Sequence, residues 1–343
     1  MKKNIAIFES NLNIGGIEKS LINLLKKIDY DKYNIDLYLL SKGTLYNELP
    51  KEVNVVFLSK PSFYKYLPFF ILKKLIKTDT TIKYDVAIDF SAYNNIFSAY
   101  TLNSNANKKV IWIHNDYKIK YKNEFKFRVL FNLSKSKYKN FDEIVAVSEG
   151  VKESFKELTG LTAKKVIPNY INTDEILKKS EEEVNFHVDD DNINFCFLGR
   201  LVYQKGLDLL FPIIKEYKKN NEEFQLYIIG DGPLKDKLIN QVEELDLFDN
   251  ITFLGAKKNP FPYLKKCDYL ILNSRYEGQG MVALEAKSLG LKVIMPERLN
   301  KYLNIDYIDI NDLKGVKKFK KKTDKLEDYN SNITEKINKL LGE

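Results

Sequence analysis

The sequence predicts an α/β protein of two tandem domains, each a doubly wound parallel sheet flanked by helices. Three observations carry this reading. Short β-rich runs alternate with helical stretches along the whole chain. The alternation lapses into a polar stretch after Asn169 and restarts at Phe195. Finally, 343 residues supply enough apolar material for two ordinary cores.

The first set of strands reads Asn4–Glu9, Ile35–Leu40, Val53–Leu58, Val86–Phe90, Val110–His114 and Ile144–Ser148. Between them lie stretches of helical period. In one, Ile17, Leu21, Leu24, Leu25 and Ile28 fall on a single face. The second set reads Ile193–Leu198, Leu226–Gly230, Ile251–Leu254, Tyr269–Asn273, Lys292–Met295 and Tyr307–Ile310. The polar stretch between the sets carries Glu181 to Glu183 and Asp189 to Asp191, which puts the boundary near residue 170. Domains 1–170 and 171–343 follow, and a last helix, 331–343, is expected to pack back on the first. The lysine-rich piece Lys314–Lys325 reads as a surface connection.

Hydrophobic residues at 44%, charged at 30% and aromatic at 13% exclude disorder as the main state. Cys196, Cys267, His114 and His187 lie in no metal-ligand spacing, so a structural zinc is not expected. The opening Met1–Glu9 is too short an apolar run for a signal peptide, and the cysteines suggest no oxidising compartment, so a cytoplasmic location is expected. No stretch approaches the ~18 apolar residues of a spanning helix. The net charge of +8 is uneven: residues 1–168 hold 28 Lys+Arg against 17 Asp+Glu, leaving 27 against 30 for the remainder. The basic half is expected to face an anionic surface or polymer.

In such folds ligands collect at the carboxyl ends of strands, so the residues just after each strand are the candidates. After the first strand, Gly15-Gly16 permits close backbone approach where a helix begins, without the third glycine of a dinucleotide fingerprint. His114 ends the apolar run Val110–Ile113; a buried core histidine is the bland alternative. In Gly199-Arg200-Leu201-Val202-Tyr203-Gln204-Lys205-Gly206, two cations five positions apart precede a helix, an arrangement suited to a diphosphate. Gly230-Asp231-Gly232-Pro233 reads as a tight turn or a ligand contact. The most pointed segment is Asn273–Ala286. There Glu277 precedes a glycine loop whose amides, Gly278 to Val282, suit phosphate oxygens, and Glu285 stands eight positions further on a helix. At 1.5 Å per residue that helix advances roughly 7–8 Å, so two carboxylates could serve a sugar and a nucleoside.

In this order the Gly15-Gly16 loop, His114, Gly199-Arg200 with Lys205-Gly206, Gly230–Pro233 and Glu277 to Glu285 resemble family 4 retaining glycosyltransferases, over residues 4 to 295. The resemblance implies a GT-B fold, two Rossmann-like domains facing across a cleft, and transfer of a hexosyl or N-acetylhexosaminyl group from a nucleotide diphosphate sugar, a UDP-sugar before others, to a lipid-linked or cell-surface glycan. It implies that Arg200 and Lys205 hold the diphosphate, Glu285 the ribose, and Glu277 with Gly278, Gln279, Gly280, Met281 and Val282 the donor sugar and its phosphate. Gly16 would touch the donor, and His114, beside the transferred sugar, would be catalytic together with Glu277. Met295-Pro296-Glu297-Arg298 departs from the small, glycine-containing loop usual there.

No cofactor or metal is expected, because the two cations and the helix amides can stabilise a departing diphosphate. Asp189 and Asp191 offer a metal-binding pair on paper, but they precede a strand within the acidic linker. The basic half holds two aromatic, lysine-rich segments: 60–77, with Phe63, Tyr64, Tyr66, Phe69 and Phe70, and 115–140, with Tyr117, Tyr121, Phe125, Phe127, Phe131 and Tyr138. They suit the interface of an anionic bilayer and predict an enzyme peripheral to the inner face of the cell membrane; rings in a core are the bland alternative. No nucleic-acid motif accompanies them. A GT-B nucleotide-sugar epimerase and a non-catalytic nucleic-acid or membrane-binding protein are the alternative functions.

Overall fold

Every strand pairing among the described residues is parallel. The computed structural model describes residues 2–13, 15–58, 64, 67–78, 81–92, 94–219 and 223–342. They form two compact units, Met1–Tyr170 with Asp328–Glu343 and Ile171–Glu327.

The first unit holds a seven-stranded sheet of β1 (Lys3–Phe8), β2 (Tyr33–Leu39), β3 (Asn54–Phe57), β4 (Tyr84–Asp89), β5 (Ala106–Ile113), β6 (Glu143–Ala146) and β7 (Lys165–Val166), ordered β3-β2-β1-β4-β5-β6-β7. The second holds β8 (Ile193–Leu198), β9 (Phe224–Ile229), β10 (Ile251–Gly255), β11 (Tyr269–Ile271), β12 (Lys292–Met295) and β13 (Ile308–Asp309), ordered β10-β9-β8-β11-β12-β13. Each order reverses once, between β1 and β4 and between β8 and β11. The loops leaving these strands part in opposite directions there and open a crevice. Central strands are buried on both faces, which is why the runs Val86–Ile88 and Leu226–Ile229 do not alternate with charged residues.

Helices follow their capping chemistry. Ser148 accepts from the Val151 amide to start Glu149–Thr159, and Gly160, at φ 74°, ends it in the left-handed conformation. Helix Gly16–Leu25 buries Leu21, Ile22, Leu24 and Leu25. In the second unit Phe195, Phe197, Leu210, Phe211, Ile214, Leu226 and Ile228 form the centre of the core.

Three details differ from the sequence reading. The pair Lys165–Val166 adds the edge strand β7, too short to announce itself. Strand β5 begins at Ala106, so Lys108 and Lys109 belong to it; their side chains reach the Leu340 and Leu102 carbonyls. The second unit stops at Glu327 rather than at residue 343. Helix Glu327–Gly342 buries Ile333, Ile337, Leu340 and Leu341, and is tied to the first unit by Tyr329 to the Asn169 carbonyl (3.0 Å) and Lys3 to the Gly342 carbonyl (2.5 Å). The lysine-rich connection is anchored, with Lys318 on Asp268 (2.8 Å) and Lys321 on the Lys265 carbonyl (2.6 Å).

Candidate active site

The crevice of the second unit lies between the loops after β8 and β11. The first runs through Gly199 and Arg200 to the short turn Tyr203–Lys205 and Gly206, which starts helix Leu207–Lys218 at φ 66°. Close packing requires its glycines. A Cβ on Gly206 would lie 2.3 Å from the Asn273 carbonyl oxygen of the neighbouring loop, and one on Gly230 only 1.9 Å from the Gly199 oxygen. The turn Gly230–Pro233 therefore serves as a buttress, reinforced by Leu201 N to Asp231 O at 2.9 Å. It holds the main chain on which Arg200 is displayed, and the Arg200 side chain is exposed.

The loop after β11 brings Glu277 onto Lys205. Lys205 Nζ lies 2.7 Å from Glu277 Oε1, and the Ser274 hydroxyl donates to the same oxygen at 2.5 Å. Both charges are largely withdrawn from water, at 18% and 7% side-chain exposure, so their attraction is less screened than that of a surface pair. Gln279 and Gly280 are buried; Met281 and Val282 are half-buried. Gly280, at φ 66°, begins helix Met281–Ser288 with no side-chain cap, so the positive end of that helix stands three residues after Glu277 on the same loop. Glu285 lies on this helix and is buried. Thus the structure gathers Lys205, Ser274, Glu277 and the Gly280 helix start, with Arg200 on the loop of Lys205. Ser274 was missed by the sequence reading, although it stands three residues before Glu277.

In the first unit His114 directly follows β5 and is buried, its ring 4.5 Å from that of Phe90 and 6.2 Å from that of Trp112. Burial, partly opposed by the Phe90 main chain, pushes its pKa down to about 3, so the imidazole is neutral at physiological pH. Neither ring nitrogen has a hydrogen-bond partner of good geometry among the described residues. Beside it lies a buried polar network that the sequence reading did not find. Asp89 accepts from the Ala92 amide (2.8 Å) and from the Ser98 hydroxyl, while Lys137 donates to the Ala92 carbonyl (2.7 Å) and to Asn95 Oδ1 (3.0 Å). Glu9, after β1, is also buried; desolvation first, then Glu18 and Asp89, raise its pKa to about 8 against the bonds from Ser10. Applying to Glu9 and Asp89 the strand-end rule used for His114 would have found both. Gly16 is exposed with open space around it, and the Glu18 carboxylate folds back over Gly15.

Asp189 and Asp191 sit on an exposed turn before β8, where Asp189 accepts from the Asp191 amide (3.0 Å) and from Asn192 (3.1 Å). His187 is exposed, and both cysteines are buried thiols.

Two Rossmann-like domains, the second with a lysine and a glutamate paired at its switch point, define a glycosyltransferase of the GT-B fold. The chain belongs to glycosyltransferase family 4: the description "Glycosyltransferase Family 4" matches residues 14–175 and "Glycosyl transferases group 1" matches residues 178–298. It is 30% identical over 292 residues to the uncharacterized glycosyltransferase MJ1059 of Methanocaldococcus jannaschii, covering 80% of this chain and 70% of that one. It is 28% identical over 301 residues to the Campylobacter jejuni N-acetylgalactosamine-N,N'-diacetylbacillosaminyl-diphospho-undecaprenol 4-alpha-N-acetylgalactosaminyltransferase, covering 85% and 80%. Among solved structures, Anabaena Alr3699/HepE with UDP and glucose matches at a TM-score of 0.62 and 19% identity over 86% of this chain and 81% of that one. A variant of S. aureus TarM with fondaparinux, alpha-GlcNAc-glycerol and UDP matches at 0.64 and 14% over 99% and 97%. At such identities these two likenesses concern the fold.

Proposed function

We propose that this glycosyltransferase retains configuration, uses a UDP-sugar without a metal ion, and extends a lipid-linked or cell-surface glycan. The observation that carries the donor reading is the Lys205–Glu277–Ser274 constellation beside an uncapped helix start. A diphosphate entering there draws Lys205 away from Glu277, with Arg200 as the second cation. The freed carboxylate then accepts from sugar hydroxyls, and the helix start and both cations stabilise the charge on the departing diphosphate. The glycan acceptor is supported by the Campylobacter relative, whose name specifies a diphospho-undecaprenol substrate, and the UDP donor by the HepE complexes. Retention, the ribose role of Glu285, the donor contact of Gly16 and the role of His114 toward the transferred sugar rest on the family resemblance.

Calorimetry with UDP tests the donor site. Arg200→Ala and Lys205→Ala are each expected to lose roughly 1.5–3 kcal/mol of binding, the worth of a charge-assisted bond. Unchanged affinity in both folded variants removes the clamp. Chelator is expected to leave turnover intact, and a strict need for added magnesium or manganese refutes the metal-free mechanism.

The acceptor reading places the first unit on an anionic bilayer. Among the described residues no helix is long and apolar enough to cross a membrane. The structure corrects the aromatic argument in both segments: Phe69 of 60–77 and Tyr117, Phe131 and Tyr138 of 115–140 are buried in the unit's own core and cannot enter headgroups. What faces water instead is one side of helix Phe125–Ser134, where Phe125, Val129 and Leu133 recur every fourth residue at 71%, 43% and 43% exposure. Exposed Lys122, Lys126, Arg128 and Lys135 flank that stripe. Helix Phe69–Leu75 contacts helix Phe125–Ser134 and has Phe70, Lys73, Lys74 and Leu75 exposed. Phe63 and Tyr66 lie outside the described residues. Apolar stripe and cations together suit an interfacial helix. Binding to vesicles should rise with anionic lipid and fall with salt. Replacing Lys73, Lys74 and Lys77 by glutamate should remove several kcal/mol of it, at about 1 kcal/mol per lysine before the reversed charge is counted. Vesicle binding equal to the parent's, in that variant and in Phe125→Ser/Val129→Ser, refutes the membrane reading.

A further inference from the structure

We propose that Arg275 is a positioning residue for the nucleotide-sugar site, clasping Asp208 and Tyr203 so that the loop of Arg200 and Lys205 stays in register with the loop of Ser274 and Glu277. The inference rests on the donor-site reading above. Arg275 grips the opposite loop with a two-pronged bond to Asp208, 2.9 Å from Nη1 to Oδ1 and 2.6 Å from Nη2 to Oδ2, and a third bond from Nη1 to the Tyr203 carbonyl at 2.6 Å. Its guanidinium also lies 3.9 Å from the centre of the Tyr203 ring. Only a planar guanidinium makes all these contacts at once; a lysine offers a single point charge. The hydrogen bonds from Arg275 hold the Asp208 carboxyl below the usual carboxylate range, so the pair is fully charged.

Around this clasp the two main chains are sewn together. Arg275 N donates to Gln204 O (2.7 Å), Gln204 Nε2 to Tyr276 O (3.0 Å), and Asn273 Nδ2 to Gly206 O (3.1 Å). Two ion pairs therefore join the loops, Lys205–Glu277 and Arg275–Asp208. A bound diphosphate breaks the first by taking Lys205 for itself. Of the two ion pairs only the second then remains to hold register beside those hydrogen bonds, and its carboxylate sits on the first turn of helix Leu207–Lys218.

The test is calorimetry with UDP on the full chain and its Arg275→Lys, Lys205→Ala, double and Asp208→Asn variants. Arg275→Lys should weaken UDP about tenfold, or 1.4 kcal/mol. Lys205→Ala should then cost less in that background than in the parent, because a displaced lysine has little contact left to lose. Parental affinity in Arg275→Lys, or losses that simply multiply, overturns the positioning role. Should Arg275→Lys fail to fold, Asp208→Asn reads the same clasp, with the same loss expected and parental affinity again refuting it. If instead the parent does not bind UDP, the donor-site reading itself fails and takes the inference with it; if Lys205→Ala alone binds as the parent does, the diphosphate does not take Lys205 and the inference falls by itself.

Discussion

Lys137→Met should destabilise the first unit by roughly 3–5 kcal/mol, the cost of leaving a buried charge without its partner. Lys137 is 1% exposed and Asp89 0%, and they face each other through the turn after β4. Burial lowers the lysine's pKa to about 8 and raises that of the aspartate, each partly opposed by the other's charge. Their bonds to the Ala92 carbonyl and amide hold that non-glycine residue at φ 49°, in the left-handed region. The same turn sets Phe90 against His114. The protein's one tryptophan, Trp112, lies two residues from His114 with its ring 5.2 Å from Phe90, so its fluorescence follows this unit. Denaturant unfolding read by that signal, with Lys137→Met, Asp89→Leu and the double variant, gives the outcome. The double variant should lose less than the two singles together, because it buries no lone charge. A Lys137→Met loss below about 1 kcal/mol, within the ordinary range for single substitutions, refutes the account.

What the sequence revealed and what it hid follow from the range of the forces involved. The apolar strands and their order of appearance were legible because burial on both sheet faces demands continuous Val, Ile, Leu and Phe. Lys205 and Glu277 could be nominated separately, each by its place after a strand, but their 2.7 Å contact could not. It depends on β8 and β11 being neighbours, a pairing between residues more than seventy positions apart. The Arg275–Asp208 clasp was hidden for the same reason. Lys137 was concealed by composition: among eight basic residues in 115–140, nothing local marks the one that turns inward. The rings of that segment misled in the opposite sense, since Phe125 and Phe131 have equal propensity, and only packing sends the first to water and the second to the core.

Glu9→Gln should make the first unit more stable at pH 8 and leave it nearly unchanged at pH 5. Glu9 is 2% exposed; Oε1 accepts from the Ser10 amide (2.6 Å) and hydroxyl (3.0 Å), while Oε2 has no partner among the described residues. Its folded pKa of about 8 lies above the ordinary 4.5 because desolvation, with repulsion from Glu18 and Asp89, penalises the anion. Between those values the folded chain binds a proton that the unfolded chain has released. The stability from Glu9 is therefore fully present below pH 4.5 and is lost as the pH rises through about 8. Each pH unit across that window costs about 1.4 kcal/mol, so the accumulated loss is on the order of 4 kcal/mol at pH 8. Glutamine keeps an oxygen for Ser10 and carries no charge, so it imitates the protonated acid at every pH. Trp112-detected unfolding of parent and variant from pH 5 to pH 8 should give curves that meet at the acid end and separate steadily toward the alkaline end. Curves that stay parallel would mean that Glu9 is ionised in the folded chain, with water or a cation reaching Oε2.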